Sequence, residues 1–156
     1  IIDQRIDHDW RKKLKAFLKE KPLCVGITSL IGDQILNGLL ASRFIKENSD
    51  VPVVWGGVHT SLIPEVVISN PNIDIVVIGE GDETFYDLLI HLRDKKDLKG
   101  VEGIFFKKRG QNNKLVIIKN QQREYIELDS LPDLPYYLID IDKFAARFIM
   151  LKFLFS

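Results

Sequence analysis

Three short stretches of this 156-residue chain carry residue types that could bind a ligand. The first is Thr28-Ser29-Leu30 within GITSLIGD. The second is VVWGGVHTSLIPE, residues 53–65, where three apolar β-formers run into Gly56-Gly57 and are followed by His59, Thr60 and Ser61. The third is Gly79-Glu80-Gly81-Asp82-Glu83-Thr84 within IGEGDET. Glycines bare the backbone and permit close approach, while hydroxyls, carboxylates and carbonyls accept hydrogen bonds. Such a set suits a bulky ligand that presents N–H donors.

The third stretch invites comparison with a dinucleotide fingerprint, because it follows an apolar run and opens a helical pattern. It departs from that fingerprint at two points. The last position is Thr84 rather than glycine, and Glu80, Asp82 and Glu83 put three carboxylates where a pyrophosphate would sit on the helix N-terminus. No Gly-Lys-Ser/Thr occurs in the chain either, so nucleotide polyphosphates are poor candidates. Helix capping accounts for Asp82 and Glu83, since acidic residues favour a first turn, but not for the glycines on either side of Glu80. A large, flat, nearly neutral ligand with amide donors fits better, and corrinoids have that surface. His59 could ligate a metal, but a hydrogen bond to a ligand amide or to backbone is the simpler role for it. His8 and His91 fall on polar helix surfaces.

The elements that must position these stretches follow from periodicity. Trp10, Leu14, Phe17 and Leu18 recur at helical spacing up to Lys21-Pro22, and Leu23–Ile27 is then a nearly continuous apolar run. Ile35, Leu36, Leu39, Leu40, Phe44 and Ile45 mark a second helical face, followed by a strand over Pro52–Trp55. Pro64 suits the first turn of a short helix ending near Asn70-Pro71. Ile73–Ile78 is a third apolar run, with Phe85, Leu88, Leu89 and Leu92 on the helix after it. Apolar runs joined by helices indicate strands covered on both faces, hence a Rossmann-like or flavodoxin-like α/β fold with a doubly wound parallel sheet. Ligands bind such sheets at the carboxyl ends of the strands, and all three stretches leave those ends.

After Gly100 the rhythm changes. Val101–Phe106 and Leu115–Ile118 flank a turn around Gly110–Asn113 and read as a hairpin. LDSLPDLPYY follows as a semi-rigid connector, and FAARFIMLKFLFS is dense enough in apolar residues to require a partner surface. The organisation expected is an α/β domain over 1–99, a hairpin extension over 100–128, and a linker with the start of a further domain over 129–156. The opening Ile1-Ile2-Asp3 reads as the close of a strand, so the domain is expected to be incomplete at its N-terminal side.

Composition narrows the partners. Apolar residues make up 46% and charged residues 28%, with 22 basic against 22 acidic side chains. That balance lacks the clustered basic excess of a nucleic-acid binder, and Arg11, Lys12, Lys13 and Lys15 read as the wet face of a helix. The one cysteine, Cys24, excludes an internal disulfide or a Cys-rich metal or iron–sulfur site built by this chain alone. No stretch reaches the roughly 20 apolar residues of a membrane span, and the expected compartment is the cytoplasm.

The stretches VGITS, VVWGGVHTSLIPE and IDIVVIGEGDETFYDLL, in that order between about Val25 and Leu92, resemble the cobalamin-binding domain that precedes radical S-adenosylmethionine domains. LDSLPDLPYYLID resembles that family's linker. The resemblance implies a module that binds cobalamin and does not itself catalyse, joined in cis to a radical domain that carries a [4Fe-4S] cluster and S-adenosylmethionine, in a methyltransferase or a related radical enzyme. By position it implies that Thr28-Ser29-Leu30 and Gly56-Gly57 frame a slot for the corrinoid tail. It further implies that His59, Thr60, Gly79, Glu80, Gly81, Glu83 and Thr84 line the corrin rim. The Asp-x-His-x-x-Gly motif that supplies a lower cobalt ligand in the wider fold is absent; DHDW at 7–10 does not match it. The three-cysteine motif of the radical domain is also absent. A flavodoxin-like or receiver-like regulatory module is the alternative on fold grounds. A receiver, however, needs aspartates clustered at strand ends, which only Ile2-Asp3 approaches.

Overall fold

The computed structural model describes residues 1–110, 112–125, 127, 131, 133 and 136–138. The apolar tail expected at 144–155 and much of the expected linker lie outside these residues. The elements run α1 (Trp10–Lys19), β1 (Val25–Thr28), α2 (Asp33–Asn48), β2 (Val53–Gly56), α3 (Val58–Leu62), α4 (Pro64–Ser69), β3 (Ile75–Val77), α5 (Gly81–Arg93), β4 (Ile104–Arg109) and β5 (Leu115–Lys119). One five-stranded sheet has the order β1-β2-β3-β4-β5. β1, β2 and β3 are parallel, with Val25 beside Val53 and Val54 beside Ile75. β4 runs antiparallel to β3, and β5 antiparallel to β4. The α/β architecture is therefore as read from the sequence, but the sheet is mixed: the hairpin continues it through the pairing of Val76 with Phe105.

Because side chains alternate across a strand, each buried strand feeds two cores. Val53, Trp55, Val76 and Phe105 pack with Trp10, Leu14, Ala41, Ile45 and Ile68 on the face covered by α1, α2 and α4. Val54, Ile75, Val77, Ile104 and Phe106 pack with Leu88 of α5 on the other. Near-continuous apolar runs such as VVW and IVV arise from this two-sided cover. Trp55 anchors α2 to β2. Its Nε1–H donates to Ser42 Oγ at 2.8 Å, and Ser42 donates in turn to Gly38 O at 2.9 Å. A Cβ at Gly38 would come within 2.9 Å of the Trp55 ring, so glycine there sets how closely the helix approaches.

Several expectations shift. In α2 the buried stripe is Gly38, Ala41, Ser42 and Ile45, and Leu36 and Leu40 are exposed; the small residues follow Trp55, whose ring fills the space that leucines would need. α3 occupies part of what the periodicity leaves as a loop, since five residues are too few to display a helical period. Ile1–Asp3 form no strand. Asp3 instead opens a turn, its carbonyl accepting from Ile6 and Asp7 N–H at 3.1 and 2.7 Å, and Ile2 packs against the α1/α2 core. Between this turn and the outer edge of β1 runs a groove of about 590 Å³ lined by Trp10, Val25, Ile27, Asn37 and Gly38 among others.

Candidate functional site at the carboxyl ends of the parallel strands

Parallel pairing of β1 with β2 sets Thr28 beside Gly56, so the first two sequence stretches emerge side by side. Neutral hydroxyls then staple them. Ser29 N–H donates to Gly56 O at 3.0 Å, Thr60 Oγ1 donates to the same carbonyl at 3.3 Å, and Ser29 Oγ lies 3.3 Å from Thr60 Oγ1. Ser29 and Thr60 are buried. The backbone N–H of His59 donates to Ser29 O at 3.4 Å, while its half-buried imidazole makes no hydrogen bond to the described residues.

The two glycines differ. Gly57 has φ +96°, and a Cβ there would sit 2.6 Å from Ser29 O and 3.0 Å from Thr28 Oγ1. Its bareness lets the β1 and β2 loops close on one another. Gly56 has ordinary strand geometry, and a Cβ on it would meet only Val77 Cβ, at 3.9 Å. Gly56 is thus the one beside open space.

The third stretch joins through Ser61. Its hydroxyl donates to Gly57 O at 3.1 Å and accepts the N–H of Gly79 at 3.0 Å, tying α3 to the turn after β3. Gly79 has φ +72° with nothing near its Cβ position, so glycine is required there by conformation alone. α5 starts at Gly81 with Asp82 and Glu83 in its first turn, and Glu80 at the N-cap makes no side-chain capping bond. Thr84 is fully buried rather than at a rim: its Oγ1 accepts Arg123 Nε–H at 3.0 Å and packs under Gly103, whose Cβ would approach to 2.9 Å. Arg123 also donates to Glu83 at 3.3 Å and pairs with Asp87.

The structure therefore brings Thr28, Ser29, Gly56, Gly57, His59, Thr60, Gly79, Glu80, Gly81 and Glu83 to one end of the sheet, with Leu30 on the adjoining loop. The hydroxyls of Ser29 and Thr60 are spent on loop geometry, and Glu83 already has a cation. Around them stand exposed apolar side chains: Leu30, Ile31, Val58 and Leu62, the last 75% accessible. A rigid end with a bare glycine edge and apolar projections can hold a large, flat, weakly charged ring by contact, and can meet its amides with loop carbonyls and Glu80. Such a ring brings its own chelated metal, and the described residues contain no cluster of three or more His, Cys, Asp or Glu able to bind one. Ser61 stands out in the sequence as a hydroxyl after the glycines but not as the tie to Gly79, and Arg123 does not stand out at all. Arg123 lies some 40 residues from its partners, and no local pattern signals such a contact.

The model of the B12 binding domain family matches residues 1–89. An uncharacterized methyltransferase, PH0819, of Pyrococcus horikoshii is 33% identical over 136 residues, covering 85% of this chain and 28% of the relative. The anaerobic magnesium-protoporphyrin IX monomethyl ester cyclase of Synechocystis is 29% identical over 104 residues, 65% of this chain and 20% of the relative. Among solved structures, the radical S-adenosylmethionine methyltransferase TsrM from Kitasatospora setae, with cobalamin and a [4Fe-4S] cluster bound, aligns with a TM-score of 0.62 at 21% identity. That alignment covers 84% of this chain and 24% of TsrM. The chain thus spans under a third of the proteins it matches, and none of these matches favours a receiver-like or flavodoxin-like regulator. This chain belongs to the B12-binding domain family.

Proposed function

We propose that the carboxyl end of the parallel strands holds cobalamin for a radical S-adenosylmethionine domain in the same protein, and that the whole protein is a methyltransferase or a related radical enzyme of the cytoplasm. The observation that carries this reading is the stapled rim. Three loops from three adjacent strands are locked to one another by Ser29, Thr60 and Ser61 without a charged group, and Gly56 is left beside open space. Gly56 would pass the nucleotide tail, Leu30, Ile31, Val58 and Leu62 would pack on the ring and its substituents, and Glu80 would accept from a corrin amide. His59 would serve as a hydrogen-bonding neighbour. Cobalamin supplies cobalt-centred methyl-transfer or redox chemistry when bound. The residues of this chain bind and orient it, and the [4Fe-4S] cluster and S-adenosylmethionine belong to the adjoining domain.

Gly57→Val is a poor probe of the tail, because it collides with Ser29 whether or not a ligand is present. Gly56→Val is the better one. Titration with hydroxocobalamin, followed in the visible spectrum, is expected to give saturable binding to the wild-type chain and a Kd at least about tenfold higher for Gly56→Val, a loss of roughly 1.4 kcal/mol. Equal affinities in two equally stable proteins contradict the tail placement, and no spectral change with the wild type contradicts cobalamin binding by this chain.

A further inference from the structure

The segment after β5 continues the β4–β5 pairing past Lys119 and is bonded along two routes, one through Gly103 to the end of β3 and one onto the start of α5. On the backbone, Gln121 O accepts Gly103 N–H at 2.7 Å, and Gly103 O accepts Ile78 N–H at 2.9 Å, one residue before Gly79. Through side chains, the Arg123 guanidinium donates from Nε to buried Thr84, from Nη1 to Glu83 and from Nη2 to Asp87. Its side chain is only 20% accessible. A cation near the positive end of a helix dipole is locally unfavourable, and burying most of a guanidinium adds desolvation. Three acceptors on the first two turns of α5, two of them carboxylates, offset both, and the planar fork fixes direction as well as distance. A local rule broken and compensated in this way is expected at a functional position.

We propose that Arg123 is a positioning residue of the corrinoid site: it latches the segment that leaves the sheet onto the first turns of α5, and so makes the geometry of the Gly79–Gly81 loop depend on how that segment is held. The inference rests on the corrinoid reading for its ligand, but the latch itself is a property of the chain. It assigns Glu83 to Arg123 rather than to a corrin amide. Because the same segment leads on toward residues 129–156, any partner that pulls on it would move the loop.

The test uses the whole chain with Arg123→Ala, Arg123→Lys and Glu83→Gln. In the ligand-free proteins, amide hydrogen exchange at residues 79–84 is expected to speed up about tenfold or more in Arg123→Ala while Val53–Trp55 stay unchanged, because local opening is separable from global unfolding. Arg123→Lys, which keeps the charge and loses the fork, is expected to lie between, and it decides the matter if Arg123→Ala fails to fold. The hydroxocobalamin Kd is expected to rise about tenfold in Arg123→Ala and by less than threefold in Glu83→Gln. Unchanged loop exchange overturns the latch, as does equal acceleration of loop and β2, which is mere loss of stability. Faster loop exchange with an unchanged Kd overturns the positioning role. If the wild type takes up no hydroxocobalamin while the loop still responds, the latch is supported and the corrinoid reading is what falls.

Discussion

The two ends of the parallel strands are built from the same apolar runs and finished in opposite ways. At the amino end, charge does the fastening. Asp74 accepts the N–H of buried Val53 at 2.7 Å and pairs with Lys46 at 2.6 Å, while the adjoining Lys107 ammonium donates to Asn70 O. Burial pulls the Lys107 ammonium below its ordinary range, and Asp74 opposes that pull. At the carboxyl end the three loops are tied to one another by neutral groups, the hydroxyls of Ser29, Thr60 and Ser61, charge enters only where Arg123 holds the first turns of α5, and apolar side chains are left facing outward. A closed end can use ion pairs because nothing else has to fit there. An end that receives a weakly charged macrocycle is better held by groups whose fields fall off quickly, with the Glu83 carboxylate paired to Arg123.

Substitutions break this contrast to different degrees. Gly57→Val should do most damage, since strain at positive φ of about 1–3 kcal/mol adds to overpacking of about 1–3 kcal/mol against Ser29 O. A urea midpoint close to wild type would show that the loops do not depend on that contact. Asp74→Ala should cost about 1–3 kcal/mol by leaving the Val53 N–H buried without its acceptor. At a temperature where both proteins are folded, its corrinoid affinity should match wild type, which keeps the two ends separate; a large loss of affinity would join them. Ser61→Ala should cost about 1 kcal/mol in stability yet weaken hydroxocobalamin binding several-fold, because the Gly79 turn loses its tie to α3. Equal affinity would mean that the hydroxyl staple is only structural.

The smallest effect is one of pH. Burial pushes the half-buried Cys24 thiol up to about 11 from an ordinary value near 9. Between those values the folded chain retains a proton that the unfolded chain releases, so stability should fall as pH rises through that window. Urea midpoints at pH 8 and 10.5 should show a drop for wild type that Cys24→Ala lacks, and the native thiol should react slowly with alkylating agents at pH 8.

What could be read from the sequence was whatever is written locally. β2 and β3 are short apolar runs because helices cover them on both sides, and Gly57 and Gly79 stand at positive φ where a strand must turn. The hairpin was visible in its turn residues, with Asn113 at φ +57°. Its union with β3 was not, because register across about 30 residues leaves no periodic trace. The hydroxyls of Thr60 and Ser29 were legible as a cluster but not as loop fasteners, since only the fold reveals that both reach Gly56 O. Thr84 looked like a rim residue by its place in GEGDET, and is buried because Gly103 and Arg123 arrive over it from distant sequence.

The central claim is that one end of the sheet receives the corrinoid and the other does not. Amide ¹H–¹⁵N shifts of the chain, followed during titration with hydroxocobalamin, test it at both ends at once. The account predicts saturable changes at residues 28–32, 56–62 and 78–83, with Val51–Val53 and Asn70–Asp74 unmoved. Changes of equal size at both ends, or changes confined to the groove beside β1 at Val25 and Asn37, would contradict it.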